Sequence, residues 1–176
     1  MSSYTITSSK YLRDFYANDR ALTKKSARSE ATEKDVTSAD AKALRRALRD
    51  LADYDYGDGS VDDTDDEKNL LYKHLKAFAD TYNYTLDSAS DSSSSSIRSM
   101  SKKMKQFAEK YSDELENLGV TFDKSGYMSI KPSAVDNIDR FTYGKTFSSS
   151  SDSQSGFFKD LESVTSKIYH RIDTLA

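Results

Sequence analysis

Apolar side chains recur at steps of three and four residues along most of this chain of 176 residues, which has 1 proline and 6 glycines. Because an α-helix repeats every 3.6 residues, such steps align the apolar groups in one stripe along each helix. The most regular stripe consists of Ile97, Met100, Met104, Phe107, Tyr111, Leu115 and Leu118. Similar stripes lie within residues 44–51, 71–86 and 157–175. Since helix-breaking residues are so few, the pattern predicts a mostly α fold with long helices.

The segment 119–130 follows a different period. Apolar and polar residues alternate in 120–122 and again in 128–130, the period of two that a half-exposed strand has. Between these strands, Gly126 supplies the positive φ of a tight turn, and Asp123 can bond the turn backbone. Gly119 is expected to end the preceding helix in the left-handed conformation. The segment predicts one β-hairpin, which must pack on the helices because an isolated hairpin is marginally stable in water.

Polar segments separate the helical stripes. Serine-rich residues 87–96 and 148–155 are predicted connectors, each with a serine capping the helix that follows. Residues 53–67 form a third connector that is acidic and has no basic side chain. Thr37, with Asp40 three positions later, has the spacing of a capping box and predicts the start of the helix that carries Leu44.

These elements predict a single domain over residues 1–176. We expect an elongated antiparallel helical bundle of about four to six helices with one β-hairpin. In this interpretation residues 1–69 hold the N-terminal helices and the acidic loop, and residues 70–176 hold the remaining helices and the hairpin.

The composition disfavours several functional classes. With 0 cysteines the chain has no disulfide, thiolate metal site or cysteine nucleophile, and its 2 histidines, His74 and His170, lie far apart in sequence. The acidic segment lacks EF-hand ligand spacing, and the chain has neither a nucleophile elbow nor a phosphate-binding glycine loop. A net charge of -3 disfavours nucleic-acid binding, and no apolar run is long enough to cross a bilayer. We therefore expect a non-enzymatic protein without cofactor, bound metal or membrane insertion.

Two groups of basic residues lie on the polar faces of the predicted helices. The first is Arg45, Arg46 and Arg49, and the second is Arg98, Lys102, Lys103 and Lys105. Either group fits an acidic partner, but a solvated helix face is the favoured interpretation of both.

The order of the elements carries a family resemblance. The sequence FADTYN at 78–83 precedes a serine-rich gap and a long helix that opens at Ile97, and LENLGVTFDKSGYMSI at 115–130 follows. After a short helix, GFFKDL at 156–161 completes the order. This arrangement resembles the C-terminal core of the bacterial flagellar filament-capping proteins, the hook-associated protein 2 family. The resemblance covers roughly residues 70–176, and the hairpin block is its most specific part.

The resemblance implies a structural or assembly protein of the bacterial flagellum that acts through helix packing with partner subunits. Its partners are then proteins, either flagellin or further copies of this chain in a homo-oligomer, and it is extracellular after export without a cleaved signal. The hairpin residues Phe122, Tyr127 and Met128 are the candidate partner-binding residues. The alternative hypothesis is a cytoplasmic helical adaptor or secretion chaperone that holds a partner helix in a groove.

Overall fold

The computed structural model describes residues 28, 30–55, 65–131, 133, 140–148 and 156–174. The helices in these ranges are α1 (Glu33–Ala52), α2 (Asp65–Ser90), α3 (Ser95–Lys110), α4 (Ser112–Glu116), α5 (Arg140–Phe147) and α6 (Gly156–Thr174). Strands β1 (Val120–Phe122) and β2 (Met128–Ile130) pair antiparallel between α4 and α5 in chain order. The prediction of a mostly helical bundle with one β-hairpin is confirmed. The N-terminal helices expected before residue 28 and residues 56–64 of the acidic connector lie outside the described ranges.

The apolar stripes meet in one core. Helices α1 and α3 both pack against α2 and α6, while β2 contacts α2 and β1 contacts α4. The largest fully buried side chains are Tyr82, Tyr143, Phe78, Phe147, Phe157, Leu44, Leu51, Leu71, Leu75, Leu86, Met104 and Leu115. Every predicted stripe contributes to this set, but Tyr143 and Phe147 lie outside the stripes, so the helical period identifies most of the core. Among the described helices, none combines the length and apolarity needed to span a bilayer.

Helix α1 begins earlier than the sequence predicts. Its N-cap is Thr32, whose hydroxyl accepts the Asp35 N–H at 3.2 Å. Thr37 lies inside the helix and is 1% exposed, and its hydroxyl lies 2.9 Å from the Glu33 carbonyl oxygen. The predicted capping box at Thr37 is therefore wrong, because the same threonine-to-acid spacing occurs five residues earlier and that copy caps the helix.

Thr37 and Asp40 are buried, and they bond to other segments instead of capping α1. The Thr37 hydroxyl also lies 3.2 Å from the carbonyl oxygen of Ser88 and so links α1 to α2. Asp40 accepts two hydrogen bonds of 2.6 Å from the guanidinium of Arg28, and this carboxylate raises the pKa of Arg28. Both side chains therefore face the protein interior, where a buried polar group needs a partner.

The connector between α2 and α3 is shorter than the serine-rich segment. Helix α2 continues through Ser90 and α3 begins at Ser95, so only residues 91–94 connect them. Ser94 is the N-cap residue of α3, but its side chain makes no capping hydrogen bond, contrary to the prediction. The Ser93 N–H instead donates to the Glu33 carboxylate at 2.6 Å, and this bond lowers the pKa of Glu33. A residue from α1 thus supports the turn before α3.

The longest predicted stripe is divided between two helices. Tyr111, at φ -110° and ψ 9°, ends α3, and the short helix α4 follows. The prediction of one unbroken helix from 97 to 118 is wrong, because apolar residues keep their three- and four-residue spacing across a break at a single residue. The end at Gly119 is confirmed, since Gly119 has φ 75° and its N–H donates to the Glu116 carbonyl oxygen at 2.9 Å.

Candidate interaction surface at the hairpin

The hairpin turn is closed by the side chain of Asp123. Its Oδ1 accepts the N–H of Ser125 at 2.8 Å and that of Tyr127 at 2.9 Å. The Gly126 N–H donates to the Asp123 carbonyl oxygen at 3.0 Å, and Gly126 itself has φ 85°. These contacts are those expected of an Asx turn with a glycine in the left-handed region. The predicted roles of Asp123 and Gly126 are therefore confirmed.

Asn83 of α2 binds the outer edge of β2. Its side-chain amide donates to the Met128 carbonyl oxygen at 2.9 Å, and its amide oxygen accepts the Met128 N–H at 2.8 Å. Met128 lies opposite Phe122 in the ladder. The next pair, Asp123 and Tyr127, is hydrogen-bonded, since the Asp123 N–H donates to the Tyr127 carbonyl oxygen. Since bonded and unbonded pairs alternate in an antiparallel ladder, both backbone groups of Met128 point away from β1. Asn83 thus supplies the donor and acceptor that a residue of a third strand would offer.

Four aromatic side chains connect the hairpin to the helices. The ring of Phe122 lies edge-on to those of Tyr82 and Phe157, each with centroids 5.9 Å apart. Phe157 also lies edge-on to Tyr111 at 6.0 Å. The Tyr82 hydroxyl donates to the Met104 carbonyl oxygen at 3.3 Å, and burial raises the pKa of Tyr82 well above its ordinary value. This cluster joins α2, α3, β1 and α6 through edge-to-face contacts.

The start of α6 packs closely against the break between α3 and α4. The Tyr111 hydroxyl donates to Asp160 Oδ2 at 2.8 Å and accepts from the Lys110 ammonium at 2.7 Å. A Cβ atom added to Gly156 would lie 2.7 Å from that hydroxyl. Such a separation is too short for a carbon and an oxygen that are not bonded, so only glycine fits this position without a shift of Tyr111.

The three predicted partner-binding residues lie at different depths. Met128 is 2% exposed and belongs to the core, whereas Phe122 and Tyr127 are half-buried beside it. The Tyr127 hydroxyl donates to Asp87 of α2, and this hydrogen bond raises the pKa of Tyr127. The solvent-accessible part of the predicted surface therefore consists of Phe122 and Tyr127, with Met128 supporting them from below.

A groove separates the hairpin turn from α3. It has a volume of about 490 Å³, with Phe122 and Ala108 as its apolar lining. Its polar lining residues are Lys105, Gln106, Glu109, Ser112, Asp123, Lys124 and Ser125. An apolar floor between charged walls is typical of a protein contact surface with a polar rim. We call these residues the hairpin groove.

Comparison with known protein families, with curated proteins and with solved structures gives no match for this chain. The candidate site is therefore argued from its own geometry.

The two histidines lie on different helices. His74 of α2 is half-buried, with its ring edge-on to Tyr54 at 5.2 Å, while His170 of α6 is exposed beside Tyr169. Within the described ranges, no group of three or more histidine, cysteine or acidic side chains is placed to hold a metal ion. Asn83 and Asp123 bind backbone groups of the hairpin, and the Tyr127 hydroxyl binds the side chain of Asp87. These contacts position chain segments.

Sequence reasoning identified the hairpin but missed the residues that attach it to the helices. Tyr82 and Tyr111 belong to predicted apolar stripes, whereas Asn83 and Gly156 appear only in the family resemblance. The sequence does not predict the contacts of any of the four. The sequence gives one modest signal for Asn83. It directly follows a core tyrosine, at the border of the apolar face of its helix, where a partly buried amide needs a hydrogen-bond partner. That partner, Met128, is 45 residues away in sequence, so local patterns could not name it.

Proposed function

We propose that the protein is a non-enzymatic structural or assembly component of the bacterial flagellum, related to the C-terminal core of the filament cap. In this proposal it acts through helix packing with partner subunits, either flagellin or copies of itself. The hairpin groove and the exposed parts of Phe122 and Tyr127 form the contact surface.

The observation that supports the proposal best is the contact between segments that the resemblance identifies separately. Asn83, from the first block, forms both hydrogen bonds with Met128 of the second block. Phe157, from the last block, lies against Phe122 of the hairpin. Three blocks that are distant in sequence therefore build one unit, as expected if the resemblance reflects one structural arrangement.

The type of contact in this unit also favours an assembly role. Directional hydrogen bonds and edge-to-face aromatic pairs fix the hairpin on α2 and leave the hairpin groove open beside α3. A rigid surface loses little conformational entropy when a partner binds. A subunit that must pack repeatedly against identical neighbours benefits from such a surface.

Sedimentation velocity of the full chain, alone and mixed with monomeric flagellin, tests the proposal. We expect rings or polymers that contain this chain at high concentration. After dilution the chain alone should sediment as a monomer. A tight one-to-one complex without polymer would instead favour the adaptor or secretion-chaperone hypothesis. If the chain neither self-associates nor binds flagellin, the proposal is wrong.

Two charge-reversal variants locate the contact surface. Lys105→Glu with Lys124→Glu changes two residues that line the hairpin groove. The matched control, Lys73→Glu with Lys159→Glu, changes two exposed lysines of α2 and α6 by the same total charge. We expect the first variant to weaken assembly by about tenfold or more and the control to leave it unchanged, because interface charges select partners through local complementarity. Equal effects of both variants would exclude the hairpin groove as the contact surface.

A further inference from the structure

A line of four cations runs along the outer face of α1. Lys42, Arg45, Arg46 and Arg49 follow the spacing i, i+3, i+4 and i+7, which places them on one side of the helix. Lys42, Arg46 and Arg49 are exposed and Arg45 is half-buried. We call these four residues the basic stripe. They span about 10 Å along the helix axis, or two turns.

Within the described part of the chain, no carboxylate forms an ion pair with the basic stripe. The ion pairs in that part join Arg28 to Asp40, Lys76 to Asp80, Lys110 to Asp160, and Lys131 to Glu116. Like charges three or four positions apart in a helix destabilise it by about 0.2–0.5 kcal/mol per pair. The basic stripe therefore carries a repulsion that no ion pair with a described residue offsets, in a chain whose net charge is -3.

Tyr169 of α6 holds two of the four cations in place. The Lys42 ammonium and the Arg45 guanidinium each lie 5.3 Å from the centroid of the Tyr169 ring. A cation over an aromatic face is attracted to it without losing its ability to donate hydrogen bonds. These contacts favour one placement of the Lys42 and Arg45 side chains by about 0.5–1 kcal/mol each, which lowers the entropic cost of binding.

At its C-terminal end, the basic stripe has both basic and acidic side chains around it. Arg45 and Arg49 line a depression of about 180 Å³ that also includes Asp53 and Glu162, with Leu48 and Phe158 among its lining residues. The two carboxylates lower the positive potential there without forming ion pairs. An extended polyanion of high charge density would meet these carboxylates, whereas a segment with spaced carboxylates can avoid them.

We propose that the basic stripe, ordered by Tyr169, is a binding surface for an acidic helical segment of a partner protein. Arginine presents a planar fork that matches a carboxylate with two hydrogen bonds, and three of the four cations are arginines. A partner helix with glutamates at the same i, i+3, i+4, i+7 spacing can place one carboxylate near each cation. This proposal does not depend on the flagellar assignment.

Fluorescence anisotropy with the full chain tests the proposal. The ligand is a labelled helical peptide of about 20 residues, long enough to be helical in water, with glutamates at that spacing among alanines. Its control peptide has glutamine at every glutamate position. We expect only the glutamate peptide to bind, and its affinity to fall as salt rises because charge interactions at a surface are screened.

A matched pair of variants separates the basic stripe from net charge. The stripe variant replaces Lys42, Arg45, Arg46 and Arg49 with glutamine, and the control variant replaces the exposed Lys73, Lys102, Lys103 and Lys159 with glutamine. Each variant loses four positive charges, so net charge changes equally. We expect a loss of at least about tenfold in affinity for the glutamate peptide only in the stripe variant. Thermal melting checks that both variants fold.

A third variant tests the role of the ring. Tyr169→Leu removes the aromatic face but no charge, and we expect it to weaken peptide binding several-fold. Equal losses in the two glutamine variants, equal binding of both peptides, no binding at all, or no effect of Tyr169→Leu would each overturn the proposal. Duplex DNA that binds as tightly as the glutamate peptide would also overturn it and would identify a nucleic-acid surface instead.

Discussion

Helix α1 and strand β2 both pack on α2, but by different physical means. Helix α1 contributes a continuous apolar stripe, in which Leu44 and Leu51 are fully buried. Strand β2 has only three residues, and its outer edge is bound by the two hydrogen bonds from Asn83. The stability of the first interface is spread over many side chains, whereas the second is concentrated in a few directional contacts.

This difference predicts how each interface responds to substitution. An apolar contact loses stability with the buried volume that is removed and the cavity that remains, and no single atom decides the loss. A hydrogen-bonded contact responds to single atoms, because an unpaired buried donor or acceptor is costly. Four substitutions, from the largest expected effect to the smallest, test these two kinds of response, and the last two do so at contacts outside both interfaces.

Leu44→Ala should have the largest effect, a loss of about 2–5 kcal/mol in the free energy of unfolding, because it leaves a cavity at a fully buried position of α1. Urea unfolding followed by circular dichroism measures the change. Leu70→Ala is the matched control, since Leu70 is 45% exposed, and its expected loss is below about 1 kcal/mol. Similar losses at the two positions would contradict the assignment of this core.

Asn83→Asp should cost about 2 kcal/mol at neutral pH. The carboxylate keeps an acceptor for the Met128 N–H but opposes the Met128 carbonyl oxygen, to which Asn83 now donates. A protonated carboxyl group can donate to that oxygen, so the folded-state pKa of the new aspartate should be raised. The stability of the variant should therefore recover as pH falls through that pKa and be lost again as pH rises.

The control for Asn83 is Asn117→Asp. The Asn117 side chain donates to the Asp113 carbonyl oxygen at 3.0 Å, but that bond is exposed and lies within one short helix. We expect a small loss of stability without recovery in acid, measured by the same urea unfolding at pH 4 and pH 7. If the two variants behave alike, Asn83 does not bind the edge of β2 in the way described.

Gly156→Ala should cost about 1 kcal/mol, because the new Cβ would push the Tyr111 hydroxyl away from Asp160. A double-mutant cycle with Tyr111→Phe measures the coupling, since the variant ring lacks the atom that lies closest to the added carbon. We expect Gly156→Ala to cost less in the Tyr111→Phe background. An equal cost in both backgrounds would show that the steric contact is not the cause.

Tyr143→Phe should have the smallest effect at neutral pH, about 0.5–1 kcal/mol, since it removes the 3.0 Å hydrogen bond from the Tyr143 hydroxyl to the Leu118 carbonyl oxygen. Its distinctive effect is on alkaline stability. Burial raises the pKa of Tyr143 to about 12, so the folded state holds this proton more tightly than the unfolded chain. The resulting stabilisation is fully present below pH 10 and is lost as pH rises from 10 toward 12.

Unfolding between pH 8 and pH 12 checks this prediction. The wild type should lose stability steeply above pH 10, and Tyr143→Phe should flatten that dependence. Tyr84→Phe, which removes a hydroxyl from a residue that is 53% exposed, is the control. A wild type and a Tyr143→Phe variant with the same alkaline dependence would contradict the role given to Tyr143.

Much of the fold could be predicted from the sequence because its signals are local. Apolar residues three and four apart identify the buried face of a helix wherever the helix lies, so the stripes at 44–51, 71–86 and 97–118 predict the core. Likewise, Asp123 and Gly126 specify a turn through contacts within five residues. The candidate surface was predicted in part, since the hairpin was located but the burial of Met128 and the groove beside α3 depend on helix packing.

The amino-acid sequence by itself determined the helical and hairpin segments and most of the buried positions within the apolar stripes. The tertiary structure decided that Thr32 rather than Thr37 caps α1, that Tyr111 divides the longest stripe, and that Asn83 binds Met128. The reason is the distance over which each choice is made. Helix and turn signals lie within one or two turns of chain, whereas these three decisions depend on contacts with other elements, for which hydrogen-bond partners and space exist only after the helices have packed.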